Sequence, residues 1–259
     1  MQEMLDFLSY FFLVNPSASG VVVVWILALV FGAIWLACYR PPLLTRPWLW
    51  AVLAGGAILA PIAITVAAYP LKAGIAWVYS SLCSQATLMK WALLTSIPSM
   101  YFFCLVREGF KLLPVVIYWW CKGRDIEPKL GLAAGAASGA GFGILESQWM
   151  LNYVLASGWS WENVQMYGLV ALSGFWESFF MVGVNVATCA LAGWGLAKKW
   201  GWQFYLLAAF VYVVMNYMKV LVDFDIISSI QGEFFIAAWA LMATGVALWL
   251  RERKSKVSG

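Results

Sequence analysis

Long apolar stretches alternate with short polar connections along the 259-residue chain. A helix needs about 20 predominantly apolar residues to cross the hydrocarbon core of a bilayer. The chain is therefore predicted to be all-α, a polytopic transmembrane helical bundle of about seven spans. The predicted spans are residues 19–39, 47–69, 97–121, 129–155, 165–197, 202–222 and 234–250.

Two further apolar segments do not read as simple spans. Residues 4–14 are too few to cross the bilayer and end at Asn15-Pro16, so they are predicted to form an amphipathic helix at the interface. The segment 70–97 is apolar but carries several polar side chains. It is interpreted either as an extra span or as a hairpin or long helix at one face. Its polar residues are Ser80, Ser81, Ser84, Gln85 and Lys90.

The distribution of Lys and Arg favours seven spans, with the N-terminus outside and the C-terminus in the cytoplasm. Cytoplasmic loops carry an excess of these residues. With seven spans, eleven of them lie on the inner side and only Lys72 and Lys90 lie on the outer side. An eighth span would remove this asymmetry. The predicted location is the plasma membrane of a prokaryote.

The amino-acid composition excludes several classes of protein and of functional site. Apolar residues make up 64% of the chain and charged residues 11%, too few to cover a soluble protein of this size. The chain contains no histidine, which excludes Ser–His and Cys–His nucleophiles and HExxH zinc sites. Its five cysteines form no CxxC pair, so no metal or other cofactor is predicted. The net charge of +4 reflects basic residues in loops, so no nucleic-acid partner is expected.

Three basic and three acidic residues nevertheless fall inside the predicted spans, away from their first and last positions. Each costs at least about 2–3 kcal/mol at the centre of a span unless it is paired or hydrated. Their charges sum to zero, which predicts a mutually compensating network in the interior. Lys219 is also four residues from Asp223, so these two are interpreted as an interfacial salt bridge. The six are Arg107, Glu108, Lys111, Glu146, Glu177 and Lys219.

The spacing of these charges predicts specific partners. Arg107 and Lys111 both lie near Glu108 on one helix. This cluster either holds or activates water, or fixes the packing of helices. Glu146 has no cation within four residues of its own helix. Arg107 or Lys111 is therefore expected to pair with it from another span.

Four glycines recur at four-residue spacing before Glu146, at Gly131, Gly135, Gly139 and Gly143. Such a stripe lets a second helix backbone approach closely. It is predicted to be a helix-packing face, and it could also serve as a groove for a transmembrane substrate.

Three motifs resemble the PrsW/YhfC-like branch of the CAAX-protease-related intramembrane proteases. They are Arg107-Glu108-x-x-Lys111, Phe142-Gly-Ile-Leu-Glu146 and the run GVNVATCALAGWGLAKK at 183–199. The family has the motifs Glu-Glu-x-x-Lys/Arg and Phe-x-x-x-Glu, and a later helix that reads His-Ala-x-x-Thr-Ala-x-x-Gly. The resemblance covers about residues 97–199 and extends more weakly to 222. It implies a single transmembrane domain, 1–259, with N-terminal spans (1–96), a protease-like core (97–222), and a last span with a basic tail (223–259).

The resemblance implies catalytic roles for Glu108, Glu146 and Asn185, with Lys111 and Glu177 supporting them. The chain departs from the family at two motif positions: Arg107 replaces the first acidic residue, and Asn185 stands where the family has histidine. The last family motif, a His/Asp/Asn cluster, has only Asn216 in its place.

Three functions follow as alternatives. The favoured one is a pseudoprotease or adaptor subunit that binds a membrane-anchored or transmembrane protein, with membrane lipid around it. The second is an active glutamate-dependent endopeptidase, in which one glutamate is the general base and Asn185 donates to the oxyanion. Arg107 and Lys111 oppose that role because they stabilise the carboxylates in their ionised form. The third is a transporter or channel, although the chain shows no internal repeat.

Overall fold

The computed structural model describes residues 17–252, which form helices and short connections without a strand. A π-helical segment, Ile62–Ala68, follows the helix that ends at Pro61, and a 3₁₀ segment, Gly168–Leu172, precedes the helix that begins at Ser173. The interfacial helix predicted at residues 4–14 lies outside the described residues. The helices are α1 (Ala18–Tyr39), α2 (Trp48–Pro61), α3 (Tyr69–Leu82), α4 (Gln85–Lys90), α5 (Ala92–Cys121), α6 (Pro128–Ala156), α7 (Trp161–Tyr167), α8 (Ser173–Ala197), α9 (Gly201–Asp223) and α10 (Ser229–Glu252).

Local sequence explains several helix ends. The side chain of Ser17 accepts a hydrogen bond from the backbone N–H of Gly20 and caps the start of α1. At the other end, Arg40 adopts a left-handed conformation, and the two prolines that follow it prevent the helix from continuing. Helix α6 begins at Pro128, a residue whose missing N–H costs nothing in the first turn.

Within residues 17–252, five helical stretches are long and apolar enough to cross a membrane. Two more helices, α5 with 30 residues and α6 with 29, have the length but are less apolar. Three charged residues interrupt α5, and α6 is rich in Gly and Ala. The five stretches are Ser19–Tyr39, Trp48–Leu82, Trp161–Ala197, Gly201–Asp223 and Ser229–Glu252.

The segment 70–97 is divided among α3, α4 and the start of α5. Its first part, residues 70–82, extends the preceding helical stretch, which runs without a break from Trp48 to Leu82 over 35 residues. At 1.5 Å per residue this stretch is about 50 Å long, well beyond a hydrocarbon core of about 30 Å. The rest of the segment is the short α4 and the first turns of α5, which starts at Ala92, five residues before the predicted start.

Helices α6 and α8 form the centre of the bundle. They pack on each other more extensively than any other pair, and α1, α2, α5, α9 and α10 surround them. Every residue from 131 to 144 of α6 is buried, as is every residue from 180 to 193 of α8. A helix buried on all sides cannot show an apolar stripe, which is why small residues rather than periodicity mark these two helices.

The surrounding helices expose large apolar side chains on their outer surfaces. Val22, Ile26 and Leu29 of α1 are each more than half exposed, as are Leu241 and Trp249 of α10. A soluble protein would not leave such continuous apolar faces in water, whereas lipid solvates them. The structure is therefore compatible with an integral membrane protein.

Candidate functional site

The glycine stripe of α6 brings the backbone of α8 into direct contact. A Cβ atom added to Gly131, Gly135 or Gly139 would collide with a backbone carbonyl oxygen of α8, and one added to Gly143 would press on Val182. The stripe is thus a helix-packing face within the chain. It is not an open groove for a substrate, because α8 covers it along its whole length.

The first ion pair of the interior joins α5 to α6. Arg107 Nη2 lies 2.5 Å from Glu146 Oε1, and the two side chains are 4% and 5% exposed. The same nitrogen lies 2.6 Å from the hydroxyl oxygen of Tyr212 on α9. Glu146 therefore finds its cation on another helix, as the sequence predicts, and that cation is Arg107.

The second ion pair lies one turn away on α5. Lys111 Nζ donates to Glu108 Oε1, and both side chains are at most 1% exposed. Thr188 of α8 donates to the same carboxylate oxygen at 3.3 Å. The hydroxyl of Ser138 on α6 donates to the backbone oxygen of Lys111 at 2.6 Å. This pair therefore fastens α5 to both central helices.

Asn185 of α8 connects the two ion pairs. Its Oδ1 accepts from Lys111 Nζ at 2.8 Å, and its Nδ2 donates to Glu146 Oε2 at 2.8 Å. The same nitrogen donates to the backbone oxygen of Met181 at 3.0 Å. An amide suits this place because it presents an acceptor and a donor at once, and it is itself uncharged.

Aromatic rings enclose the cations. The Tyr212 ring centroid lies 4.6 Å from Arg107 Cζ and 4.4 Å from Lys111 Nζ. The ring of Phe142 lies 5.5 Å from each of the same two atoms. Contacts of this kind attract a cation to the face of a ring, and they strengthen where water is excluded.

The centre formed by Arg107, Glu108, Lys111, Glu146, Asn185, Thr188 and Tyr212 is buried and formally neutral; we call it the ionic core. Each of its residues is at most 4% exposed. Two of its polar atoms, Glu108 Oε2 and Arg107 Nε, have no hydrogen-bond partner in the described part of the chain. Within residues 17–252, no group of three or more Cys, Asp and Glu side chains could hold a metal ion.

Glu177 does not join the ionic core. It pairs with Lys219 of α9, and the two side chains are 21% and 32% exposed. Eight residues separate Glu177 from Asn185 on α8, a rise of about 12 Å. The predicted pair of Lys219 and Asp223 is therefore wrong, because Lys219 reaches across to α8 instead of along its own helix.

Asn216 is the only candidate for the last family motif, and its side chain hydrogen-bonds to the backbone of its own helix. Its Nδ2 donates to the backbone oxygen of Tyr212 at 2.9 Å. Sequence reasoning overlooked Tyr212, whose hydroxyl reaches both Arg107 and Glu146. A signal was present: Tyr212, Asn216 and Lys219 recur at intervals of four and three, so they share one face of α9.

Comparison of the chain with models of known protein families, with curated proteins and with solved structures gives no match.

Proposed function

We propose that the protein is an intramembrane-protease-like scaffold of a prokaryotic plasma membrane, which binds a membrane-anchored or transmembrane protein without cutting it. In this proposal α5 and α6 cross the bilayer together with the five more apolar stretches. That arrangement gives seven spans, with the N-terminus outside and the C-terminus in the cytoplasm, and keeps the basic loops on the inner side.

The observation that carries the proposal is the direct pairing of each interior carboxylate with a cation. Arg107 holds Glu146 and Lys111 holds Glu108. A general base must take a proton from water and later release it, and a directly paired carboxylate is a poor proton acceptor. Paired and buried in this way, the two glutamates are suited to hold helices together.

Asn185 supports the same conclusion. It occupies the position where the resembling family has histidine, and its amide does not accept a proton at neutral pH and is not a usual ligand of zinc. Here the amide joins Lys111 to Glu146. The side chain that would do chemistry is thus replaced by one that fixes a hydrogen-bond network.

A partner segment requires a surface other than the glycine stripe. An open groove of about 560 Å³ lies between α3 and α5 and is lined mainly by apolar residues, including Leu71, Ile75, Trp77 and Phe102. Gly74 lines it too, and a Cβ added there would meet nothing within 4 Å. We place the partner here because a small residue in an apolar groove allows a transmembrane helix to approach closely.

The active endopeptidase is retained as a second candidate because of one atom. Glu108 Oε2 is buried and has no hydrogen-bond partner among the described residues. An active enzyme would use this oxygen to take the proton from a water molecule, whose oxygen would attack the scissile carbonyl carbon. That role requires water to reach an atom that is closed off in this structure.

Cleavage of single-span reporter proteins in membranes separates the two candidates. We expect wild type to leave the reporters intact under conditions in which a known intramembrane protease cuts them. Reproducible cutting by wild type that is lost in Glu108→Gln would overturn the scaffold proposal. The thermal stability of Glu108→Gln in detergent is the control, because loss of cutting counts only when the variant is folded.

Partner binding is tested at the groove by photo-crosslinking. A photoreactive residue at Ile75 should crosslink a co-expressed partner segment, and Gly74→Leu should remove the crosslink. Gly245→Leu is the matched control, since a Cβ at Gly245 on α10 also meets nothing within 4 Å. Equal crosslinking in the two glycine variants would contradict the proposed position of the partner.

A further inference from the structure

An apolar groove opens at the end of the bundle where α9 connects to α10. Its volume is about 380 Å³, and it lies between the 3₁₀ segment with the start of α8 on one side and the start of α10 on the other. Leu169, Val170, Ile230 and Phe234 line it. Trp176 forms part of its wall, held by its ring contact with Phe180 at 4.8 Å between centroids.

A polar cleft of about 210 Å³ adjoins this groove. The cleft lies between α8, α9 and α10 and contains Glu177, Lys219, Asp223 and Glu233. The groove and the cleft share three lining residues, Ser173, Ser229 and Glu233. An apolar space and a charged space therefore meet at these side chains, as a molecule with an apolar body and a charged head requires.

The charge of the cleft determines which head fits. Three carboxylates against one ammonium group give a formal charge of −2. Lys219 is engaged with Glu177, whereas Glu233 Oε2 is buried and has no hydrogen-bond partner among the described residues. The cleft therefore favours a cationic group, and Glu233 offers it a buried acceptor.

We propose that the groove and the cleft together bind a phospholipid whose head carries a primary ammonium group. One acyl chain of the lipid occupies the groove beside Trp176, and the ammonium group of its head donates to Glu233. A primary ammonium has three N–H donors for the carboxylate and for the hydroxyls of Ser173 and Ser229, whereas a trimethylammonium head has none. This inference goes beyond the proposed scaffold function and does not depend on it.

Native mass spectrometry of the full chain tests the lipid directly. The detergent-solubilised protein is mixed with equimolar phosphatidylethanolamine, phosphatidylcholine and phosphatidylglycerol that carry identical acyl chains. The lipids that stay bound after the detergent is removed are then identified by mass. We expect phosphatidylethanolamine to be retained preferentially, and Glu233→Gln to lower its retention about tenfold, since one charge-assisted hydrogen bond is lost. Glu162→Gln, an exposed glutamate at the start of α7, is the matched control and should behave as wild type.

Two results would overturn the proposal. Equal retention of phosphatidylethanolamine and phosphatidylcholine would show that the apolar groove alone binds lipid. Unchanged retention in Glu233→Gln would show that the ammonium group is not held at the cleft. A second variant, Trp176→Ala, should lower the retention of all three lipids, so its effect differs from the selective loss expected at Glu233.

Discussion

Arg107 reaches across the bundle to Glu146, with 2.5 Å between Nη2 and Oε1, although 39 positions separate the two residues in the chain. Neither residue could remain in this interior alone, because an isolated charge in an apolar medium costs several kcal/mol. The pair therefore makes the packing of α5 on α6 specific to one register. The pair also holds the carboxylate of Glu146 in a structural contact.

Removing one member of this pair should cost far more than removing both charges. Arg107→Gln or Glu146→Gln leaves an unpaired buried charge, and we expect each to lower the free energy of unfolding by about 3–5 kcal/mol. The double variant Arg107→Gln/Glu146→Gln should recover about 2–3 kcal/mol of the summed loss. Unfolding by denaturant in mixed micelles measures the cycle, and additive losses would contradict the pairing.

The partly exposed pair of Glu177 and Lys219 provides the contrast. Because both side chains reach solvent or the interface, Glu177→Gln should change stability by less than about 1 kcal/mol. The same unfolding measurement applies. A loss as large as that of Glu146→Gln would mean that Glu177 contributes to the interior network after all.

Asn185 should be irreplaceable even by a residue of its own shape. Asp at this position accepts from Lys111 as Asn185 does, but it cannot donate to Glu146 and places a second negative charge beside it. We therefore expect Asn185→Asp to be at least as destabilising as Asn185→Ala, about 2–4 kcal/mol. Thermal unfolding of both variants in detergent tests this order. A stable Asn185→Asp protein would contradict the bridging geometry.

The all-helical fold could be predicted from the sequence because apolar stretches of spanning length are visible in the order of residues alone. The close packing of another helix against α6 was also predictable, since glycines at four-residue spacing create a smooth face. The identity of the helix covering that face was not, because periodicity on one helix says nothing about its neighbour. The reach of Lys219 to Glu177 was missed for the same reason.

Within the ionic core, Tyr212 has a role that the sequence alone does not indicate. The charges at 107, 108, 111 and 146 drew attention because each is costly in a membrane. Tyr212 drew none, since a tyrosine in an apolar span is ordinary. Its role arises only when α9 packs beside α5 and places one hydroxyl between a guanidinium and a carboxylate.

Tyr212 should contribute through its hydroxyl and its ring separately. Tyr212→Phe removes the contacts with Arg107 and Glu146 but keeps the ring beside both cations, so we expect a loss of about 1–2 kcal/mol. Tyr212→Leu also removes the ring and should cost about 3–4 kcal/mol. Equal losses in the two variants would mean that the ring contributes nothing.

The glycine stripe gives the most direct test of the fold. A methyl group at Gly135 would collide with the backbone at Cys189, which cannot move without separating α6 from α8. We therefore expect Gly135→Ala to lower the free energy of unfolding by at least about 2 kcal/mol, despite the better helix propensity of alanine. Gly245→Ala is the matched control, because the space around Gly245 is open and the change should stabilise by about 0.5–1 kcal/mol. A Gly135→Ala protein as stable as the control would mean that α8 does not lie against this face.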